Sequence, residues 1–359
     1  MRLLNTTTLT FQEFFNERTP PYCILSHRWA AEEVSYADFI AGKKVDHAGY
    51  TKVLQACRFA KSQSHAWIWI DTVCIDKTSS AELTEAINSM YHYYADSRIC
   101  FAYLRDVSPH LAPQQINKAL ESSEWFQRGW TLQELLAPKE VLFLDDSWEA
   151  IGTKAQLSAV VRRATGIPEW YLHRPDQIPF ASVAARMAWT AHRQTTRSED
   201  VAYSLLGLFN VNSKYVPSNS EPRLQHLSIS SKRYALLQLE IAKSTDDESI
   251  FAWTSPSNQP CGMFAPWPSV FAGFANVKPL PLDPEDRIPW QWTHKGLELH
   301  LSSPLDMSST MRMGNAAFDH TKTGDMHKIV TLGCFKSDVE NWHSMEKNQR
   351  PASPAREGV

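Results

Sequence analysis

A chain of 359 residues, 43% of them apolar and thirteen of them tryptophan, is long enough to bury a sizeable core as one large domain or two ordinary ones. Its formal charge of −3 offers no electrostatic ground for binding nucleic acid or an anionic membrane. The six cysteines (Cys23, Cys57, Cys74, Cys100, Cys261 and Cys334) are scattered without a CxxC pair, which argues against a disulfide frame or a zinc knuckle and for reduced thiols in a cytosolic protein.

The N-terminal stretch MRLLNTTTLTF lacks the long apolar core of a secretory signal, and no apolar run reaches membrane-spanning length. A cytoplasmic location without membrane contact is the expectation. Four short apolar segments follow: YCILS (22–26), AWIWID (66–71), ICFAYL (99–104) and EVLFL (140–144). They are nearly continuous in hydrophobicity, as strands buried on both faces of a parallel sheet are. Helical patterns lie between them. Residues 50–63 place Val53, Leu54, Cys57 and Ala60 on one stripe. The next pattern opens on Ser79 and Glu82, spaced as a capping box, and stripes Leu83, Ile87, Met90, Tyr91 and Tyr94. A third helix is predicted over 123–137, closed by Pro138. Strand and helix alternate, so the fold class is α/β, a parallel sheet flanked by helices.

After about Ile151 the rhythm changes. KAQLSAVVRRATG reads as a helix ending at Gly166, and FASVAARMAWTAHR as another. TRSEDVAYSLLGLF opens with Thr196 and Glu199 as a second capping box, burying Val201, Leu205 and Leu208. A polar loop over about 212–230 leads to a helix at 231–244. From SIFAW (249–253) the chain is rich in proline and aromatics, with strand candidates LELHLSS and KIVTLGCF. The organisation read from this is an α/β domain over 1–165, a helical extension over 166–245, an irregular β-containing C-terminal region over 246–335, and a disordered tail over 336–359.

In parallel α/β sheets the loops after the strand C-termini form the ligand site. Here those loops hold Ser26, His27, Arg28 and Trp29 after the first strand, and Asp71, Cys74 and Asp76 after the second. The third leads to Arg128, Trp130 and Glu134. Each residue also has an ordinary structural reading. Asp71 suits a turn or helix cap, Trp67, Trp69 and Trp125 suit a core, Arg128 suits an ion pair, Cys74 suits a small buried filler, and Glu134 suits a capped helix acid. HExxH, GxSxG, GxGxxG and phosphate-loop motifs are missing, which weakens metalloprotease, hydrolase, dehydrogenase and NTPase readings; no metal site is expected.

YCILSHRWA, AWIWIDTVCIDK with AELTEAINSMYHYYADS, and SEWFQRGWTLQELLAP resemble the three signature blocks of the fungal HET (heterokaryon incompatibility) domain. SVAARMAWTAHRQTTRSEDVAYSLLGLFNVN and SIFAW resemble its continuation. The chain departs from the family pattern at His27, Ala30 and Lys77, and after Asn212. HET domains are in turn similar to TIR domains, and that resemblance implies a TIR/flavodoxin-like sheet. It also places the candidate catalytic acid of an NAD-cleaving enzyme at Glu134, the Glu of a Trp-x-x-x-Glu stretch. Ser26, His27, Arg28, Trp29, Asp71, Arg128 and Trp130, which converge on one sheet edge, are the candidate substrate contacts, with Arg128 alternatively orienting Glu134 or lowering its pKa; the resemblance implies NAD as substrate and no cofactor. Loss of nicotinamide needs no general acid, because the leaving group is a cationic pyridinium. One carboxylate that stabilises the sugar cation suffices, whereas ordinary glycosidases use two. Trp29 would stack on a flat ring, and Arg28 would pair with a phosphate.

Three readings stay open at this stage. The first is a self/non-self recognition and cell-death effector that consumes NAD, with self-association and an unidentified incompatibility partner. The second is a non-enzymatic signalling or scaffold module on the same fold. The third is a degenerate, inactive paralogue, suggested by the altered segment after Asn212.

Overall fold

In the computed structural model the described residues are 1–15, 18–213, 229–245, 247–253, 264–277, 291–293, 296–301 and 328–333. The segment 214–228, most of the expected polar loop, lies outside them, as do the expected tail over 336–359 and Cys261 and Cys334.

The chain runs β1 (Arg2–Asn5), β2 (Phe11–Glu13), β3 (Cys23–His27), α1 (Tyr36–Ile40), α2 (Ala48–Ser62), β4 (Trp67–Ile70), α3 (Asp71–Cys74), α4 (Ser80–Ala95), β5 (Ile99–Tyr103) and α5 (Pro113–Ser122). It continues through α6 (Thr131–Leu136), β6 (Val141–Leu144), β7 (Ala150–Thr153), α7 (Ser158–Thr165), α8 (Glu169–His173), α9 (Val183–Ala188), α10 (Asp200–Tyr203) and α11 (Ile229–Ser244). Short 3-10 turns occupy Glu124–Gln127, Pro175–Phe180, Gly207–Phe209, Glu248–Phe251 and Pro268–Phe274.

Seven strands form one mixed sheet in the order β2-β1-β4-β3-β5-β6-β7. The four apolar segments read from the sequence are its centre: β3 pairs in parallel with β4 and β5, and β5 with β6. All five residues of β3 are buried, which is why that run is continuous in hydrophobicity rather than alternating. Counted among the parallel strands, the order is 2-1-3-4, the doubly wound flavodoxin-like arrangement, with its switch point between β3 and β5. The edges are antiparallel. At one edge β1 pairs with β4 and β2, and at the other β7 pairs with β6. The N-terminal hairpin turns where the Asn5 side chain accepts from the backbone of Thr7 and Thr8 at 2.9 and 3.0 Å, an Asx turn. Trp69 and Trp125 are each about 1% exposed and belong to the core, whereas Trp67 is half-buried against Phe14. Cys23, Cys57, Cys74 and Cys100 are free and buried.

Three local expectations are corrected. Residues 123–137 are not one helix. A 3-10 turn ends at Gln127, Arg128 is extended (φ −83°, ψ 139°), and α6 starts only at Thr131. The backbone N–H groups of Gly129 and Gln194 spend their hydrogen bonds on the carbonyls of Gln194 and Gln127, not on a continuous helix. Thr196 and Glu199 do not form a capping box either: α10 begins at Asp200 and spans a single turn, and Glu199 at its N-cap makes no side-chain cap hydrogen bond. Ser79 does accept from Glu82 N, but the Glu82 carboxylate goes to Asp76 N (2.7 Å) and Arg2 (2.8 Å), so this box is half closed. Gly166 ends α7 in the left-handed region (φ 71°), as its place after the helix predicts.

The helical extension packs on the α/β layer. Gly207 permits the closest approach, since a Cβ there would lie 2.1 Å from Tyr91 Cβ on α4. Arg186 on α9 donates to Leu208 O at 2.9 Å and lies 4.4 Å from the Phe209 ring centre. In the C-terminal region β8 (Gln291–Thr293), β9 (Gly296–Leu301) and β10 (Lys328–Gly333) form a separate antiparallel sheet in the order β10-β9-β8. β9 covers residues 297–301 of the first strand candidate and β10 residues 328–333 of the second. Among the described residues no helix is long and apolar enough to cross a membrane.

Candidate functional site

The switch point between β3 and β5 gathers the polar groups. Ser26 and His27 are the last two residues of β3, and Asp71 directly follows β4. Ser26 Oγ accepts from Trp125 Nε1 at 2.8 Å and donates to the Glu134 carboxylate. A buried hydroxyl thus joins the sheet to the 3-10 turn on one side and to α6 on the other.

Glu134 sits in the first turn of α6, where a carboxylate is favoured by the helix dipole. It is nevertheless 7% exposed, and burial pushes its carboxyl up to about 7. The nearby Arg128 charge is the largest opposing influence, followed by the Ser26 hydrogen bond; Asp71 adds to the rise and Arg193 opposes it. The result is an acid that changes charge near neutrality, in a place that excludes most water. Such perturbed groups concentrate at functional sites, although ion-pair networks produce them too.

Arg128 does not bond the carboxylate directly. Its Nη1 donates to His27 O at 3.0 Å, and its guanidinium carbon lies 5.3 Å from the Trp29 ring centre. Lys77 Nζ stands over the same ring at 3.6 Å, and Trp29 Nε1 donates to Asp71 at 2.8 Å. Asp71 opens α3 but makes no side-chain cap there. His27 is fully enclosed, with Nε2 3.8 Å from Glu33 Oε2 and 3.9 Å from Asp71 Oδ1. Among the described residues neither ring nitrogen has a hydrogen-bond partner. Burial, then the Lys52, Arg128 and Lys77 charges, hold its imidazole well below the usual range, so it is neutral at physiological pH. Glu33 is in turn paired with Lys52.

Two sequence candidates point elsewhere. Arg28 pairs with Glu124, which also meets Arg105 at 3.4 Å, and the Arg28 side chain is 41% exposed. The Trp130 indole hydrogen-bonds the Asp200 carboxylate on α10. Ser26, His27, Asp71, Arg128, Trp29 and Glu134 form one connected cluster; Arg28 and Trp130 flank it.

Sequence reasoning missed Glu33, Lys52 and Lys77 as members of this cluster, because nothing in their spacing sets them apart from solvated charges. It placed Trp125 in the core, where it lies, without its hydrogen bond to Ser26. It also missed Arg193, whose Nη1 reaches Arg128 O at 2.9 Å and Thr131 Oγ1 at 3.0 Å. The charged run HRQTTRSED, directly after an apolar helix, was the available signal. Among the described residues no group of three or more His, Cys, Asp or Glu could hold a metal ion.

Residues 22–118 match the model of the heterokaryon incompatibility protein (HET) family. That stretch contains β3, β4, β5 and the Ser26, His27 and Asp71 end of the cluster. The chain is 43% identical over 201 residues to the vegetative incompatibility protein HET-E-1 of Podospora anserina, an alignment that covers 54% of this chain and 15% of that protein. No solved structure matches. Residues 22–118 therefore carry the similarity to the heterokaryon incompatibility (HET) family, and the chain spans a small part of the length of the relative it matches.

Proposed function

We propose that this chain acts in vegetative incompatibility, as a self/non-self recognition and cell-death effector, and that its α/β domain cleaves NAD at the nicotinamide–ribose bond. The observation that carries the enzymatic part is the place of Glu134. It is a buried carboxyl bonded to Ser26 at the strand C-termini of a doubly wound sheet, and it titrates near neutrality.

The chemistry asks little of such a site. The C1′–N1 bond of NAD breaks with its electron pair leaving on neutral nicotinamide, and the ribosyl group is left as an oxocarbenium ion. An ionised Glu134 stabilises that charge in a low-dielectric setting, where its effect is larger than in water. Water adds to C1′ and releases a proton to solvent, giving ADP-ribose. In this reading the Asp71 carboxylate accepts hydrogen bonds from sugar hydroxyls. Self-association and an incompatibility partner belong to the same proposal.

Specific observations favour a second reading, a signalling module without turnover. Glu134, Trp130 and Arg128 all have internal partners, in Ser26, Asp200 and the His27 carbonyl. Residues engaged in this way also hold a fold together, and a fold that retains a site need not use it.

Nicotinamide release from NAD by the purified full chain separates the two. The wild type is expected to release it, with a rate that rises as pH passes through about 7 and Glu134 ionises. Glu134→Ala is expected to lower the rate on the order of 10²-fold or more. Absent release in both proteins, or equal release, supports the scaffold and ends the enzymatic proposal.

A further inference from the structure

The segment that follows α9, from Arg193 to Asp200, lies against the turn that launches α6. Gly129 N donates to Gln194 O at 2.7 Å and Gln194 N to Gln127 O at 2.6 Å, and Arg128 and Gln194 form a parallel β-bridge. Arg193 donates through Nε to Trp189 O at 3.2 Å and through Nη1 to Arg128 O at 2.9 Å and Thr131 Oγ1 at 3.0 Å. Trp130 bonds Asp200. The Thr195 methyl stands where a side chain on residue 129 would begin, 2.5 Å from the Cβ that Gly129 lacks. Every residue from Gln127 to Thr131 is therefore engaged by one short segment, and the helix it steadies carries Glu134 three residues further on.

Packing alone does not account for the cation in this contact. Arg193 Nη2 is sealed from solvent without a hydrogen-bond partner among the described residues, although its charge acts on Glu134. A buried donor left unpaired costs stability that an apolar side chain would not. Its position has a use if the guanidinium serves the carboxylate.

We infer that residues 193–200 are a positioning strap for Glu134, and that Arg193 both holds the start of α6 in place and supplies a cation to the acid. The strap lies beyond residues 22–118 and belongs to the helical extension, so the extension is part of the working unit rather than an appendage. Arg193 is a positioning residue, since it acts through Glu134. Its role in turnover rests on the proposed NAD cleavage; its hold on the acid does not.

The experiment uses the full chain with Arg193→Lys, Arg193→Met, Gly129→Ala and Gly129→Ala combined with Thr195→Ser. One readout is the pH midpoint at which Glu134 ionises, taken from the pH dependence of urea stability of each protein against its own Glu134→Gln partner. The other is the pH profile of nicotinamide release. Arg193→Met is expected to move both midpoints up, by less than loss of the Arg128 charge would, because an opposite charge is lost. Arg193→Lys is expected to keep most of the wild-type value. Gly129→Ala displaces the strap or the helix; it should move the midpoint and lower release on the order of 10²-fold. Thr195→Ser deletes the clashing methyl and should restore both. An unmoved midpoint in Arg193→Met, or a Gly129→Ala effect that Thr195→Ser leaves in place, overturns the inference. Where Arg193→Met does not fold, the Gly129 and Thr195 pair decides alone. If the wild type releases no nicotinamide, the enzymatic proposal falls, while the stability midpoints still judge the strap.

Discussion

Replacing Glu134 by Gln tests the electrostatics of the site without relying on any reaction. In the folded chain the carboxyl titrates near 7 against an ordinary 4.5. Between those values the folded chain holds a proton that the unfolded chain has released, so this group's contribution to stability is full below about 4.5 and is lost as pH rises through 7. At about 1.4 kcal/mol per unit the gap amounts to about 3 kcal/mol, of which about 2.5 kcal/mol falls between pH 5 and 8. Gln resembles the protonated acid at every pH and so never incurs this loss. His27 bends the wild-type curve the opposite way. Its imidazole stays neutral when folded, so stability also drops as pH falls below its ordinary 6.5. That influence is common to both proteins and cancels in their difference. Urea unfolding followed by tryptophan fluorescence, at fixed ionic strength from pH 5 to 8, gives the difference curve. The stability of the variant relative to wild type should climb by about 2.5 kcal/mol over this range, leaving the variant the more stable protein at pH 8. A flat difference would mean that Glu134 titrates as an ordinary exposed acid, and the buried, neutral-pH acid on which the proposed chemistry depends would not exist.

Two further substitutions probe the supports of that acid. Ser26→Ala leaves Trp125 Nε1 without an acceptor and Glu134 without a donor; it should cost about 1–3 kcal/mol of stability and move the Glu134 midpoint further up, both read from the same urea series. Lys154 is buried with Nζ on the carbonyls of Leu135 (3.0 Å) and Pro138 (2.7 Å) at the far end of α6, and burial pulls its ammonium down to about 8 from 10.5. Between those values the unfolded chain holds the extra proton, so wild-type stability gains from this group as pH rises from about 8 to 10.5, and Lys154→Met should remove that gain. Parallel wild-type and variant curves over the alkaline range would show that Lys154 is solvated rather than buried.

The centre of the sheet was legible because burial on both faces leaves an unmistakable mark: Cys23–Leu25, Ile68–Ile70 and Cys100–Ala102 are apolar at consecutive positions. The antiparallel edges were not. Strand β1 contributes only Leu3 and Leu4 to the core, and its turn is made by Asn5 within a run of threonines that reads as plain loop. The β3 end of the cluster, Ser26, His27 and Asp71, could be placed from position alone, since strand C-termini are where such sheets bind ligands. Glu134 came instead from resemblance, because an acid in the first turn of a helix is ordinary by itself. What no local pattern could reveal is partnership across the chain. Glu33 meets His27, Lys77 covers Trp29, and Arg193 reaches back over sixty positions to Arg128. Each of these looks like a solvated charge until the fold brings the pair together.

The misread helix explains how the acid acquires its setting. Trp125 and Glu134 are nine residues apart. On one continuous helix nine residues make two and a half turns, which would place the two side chains on opposite faces and about 13 Å apart along the axis. Ser26 Oγ could not then meet both, yet it accepts from Trp125 and donates to Glu134. The extended residue Arg128 and the side-chain-free Gly129 break the helix between them and turn α6 so that its first-turn acid faces the same hydroxyl as the indole. Glycine is needed at 129 because the Thr195 methyl already occupies the space of a Cβ, and the main chain freed by the break finds its partners in Gln194. The interruption that makes 123–137 a poor helix is thus the local event that carries Glu134 from a solvated flank into the dry end of β3, and the segment after α9 is what keeps that interruption in place.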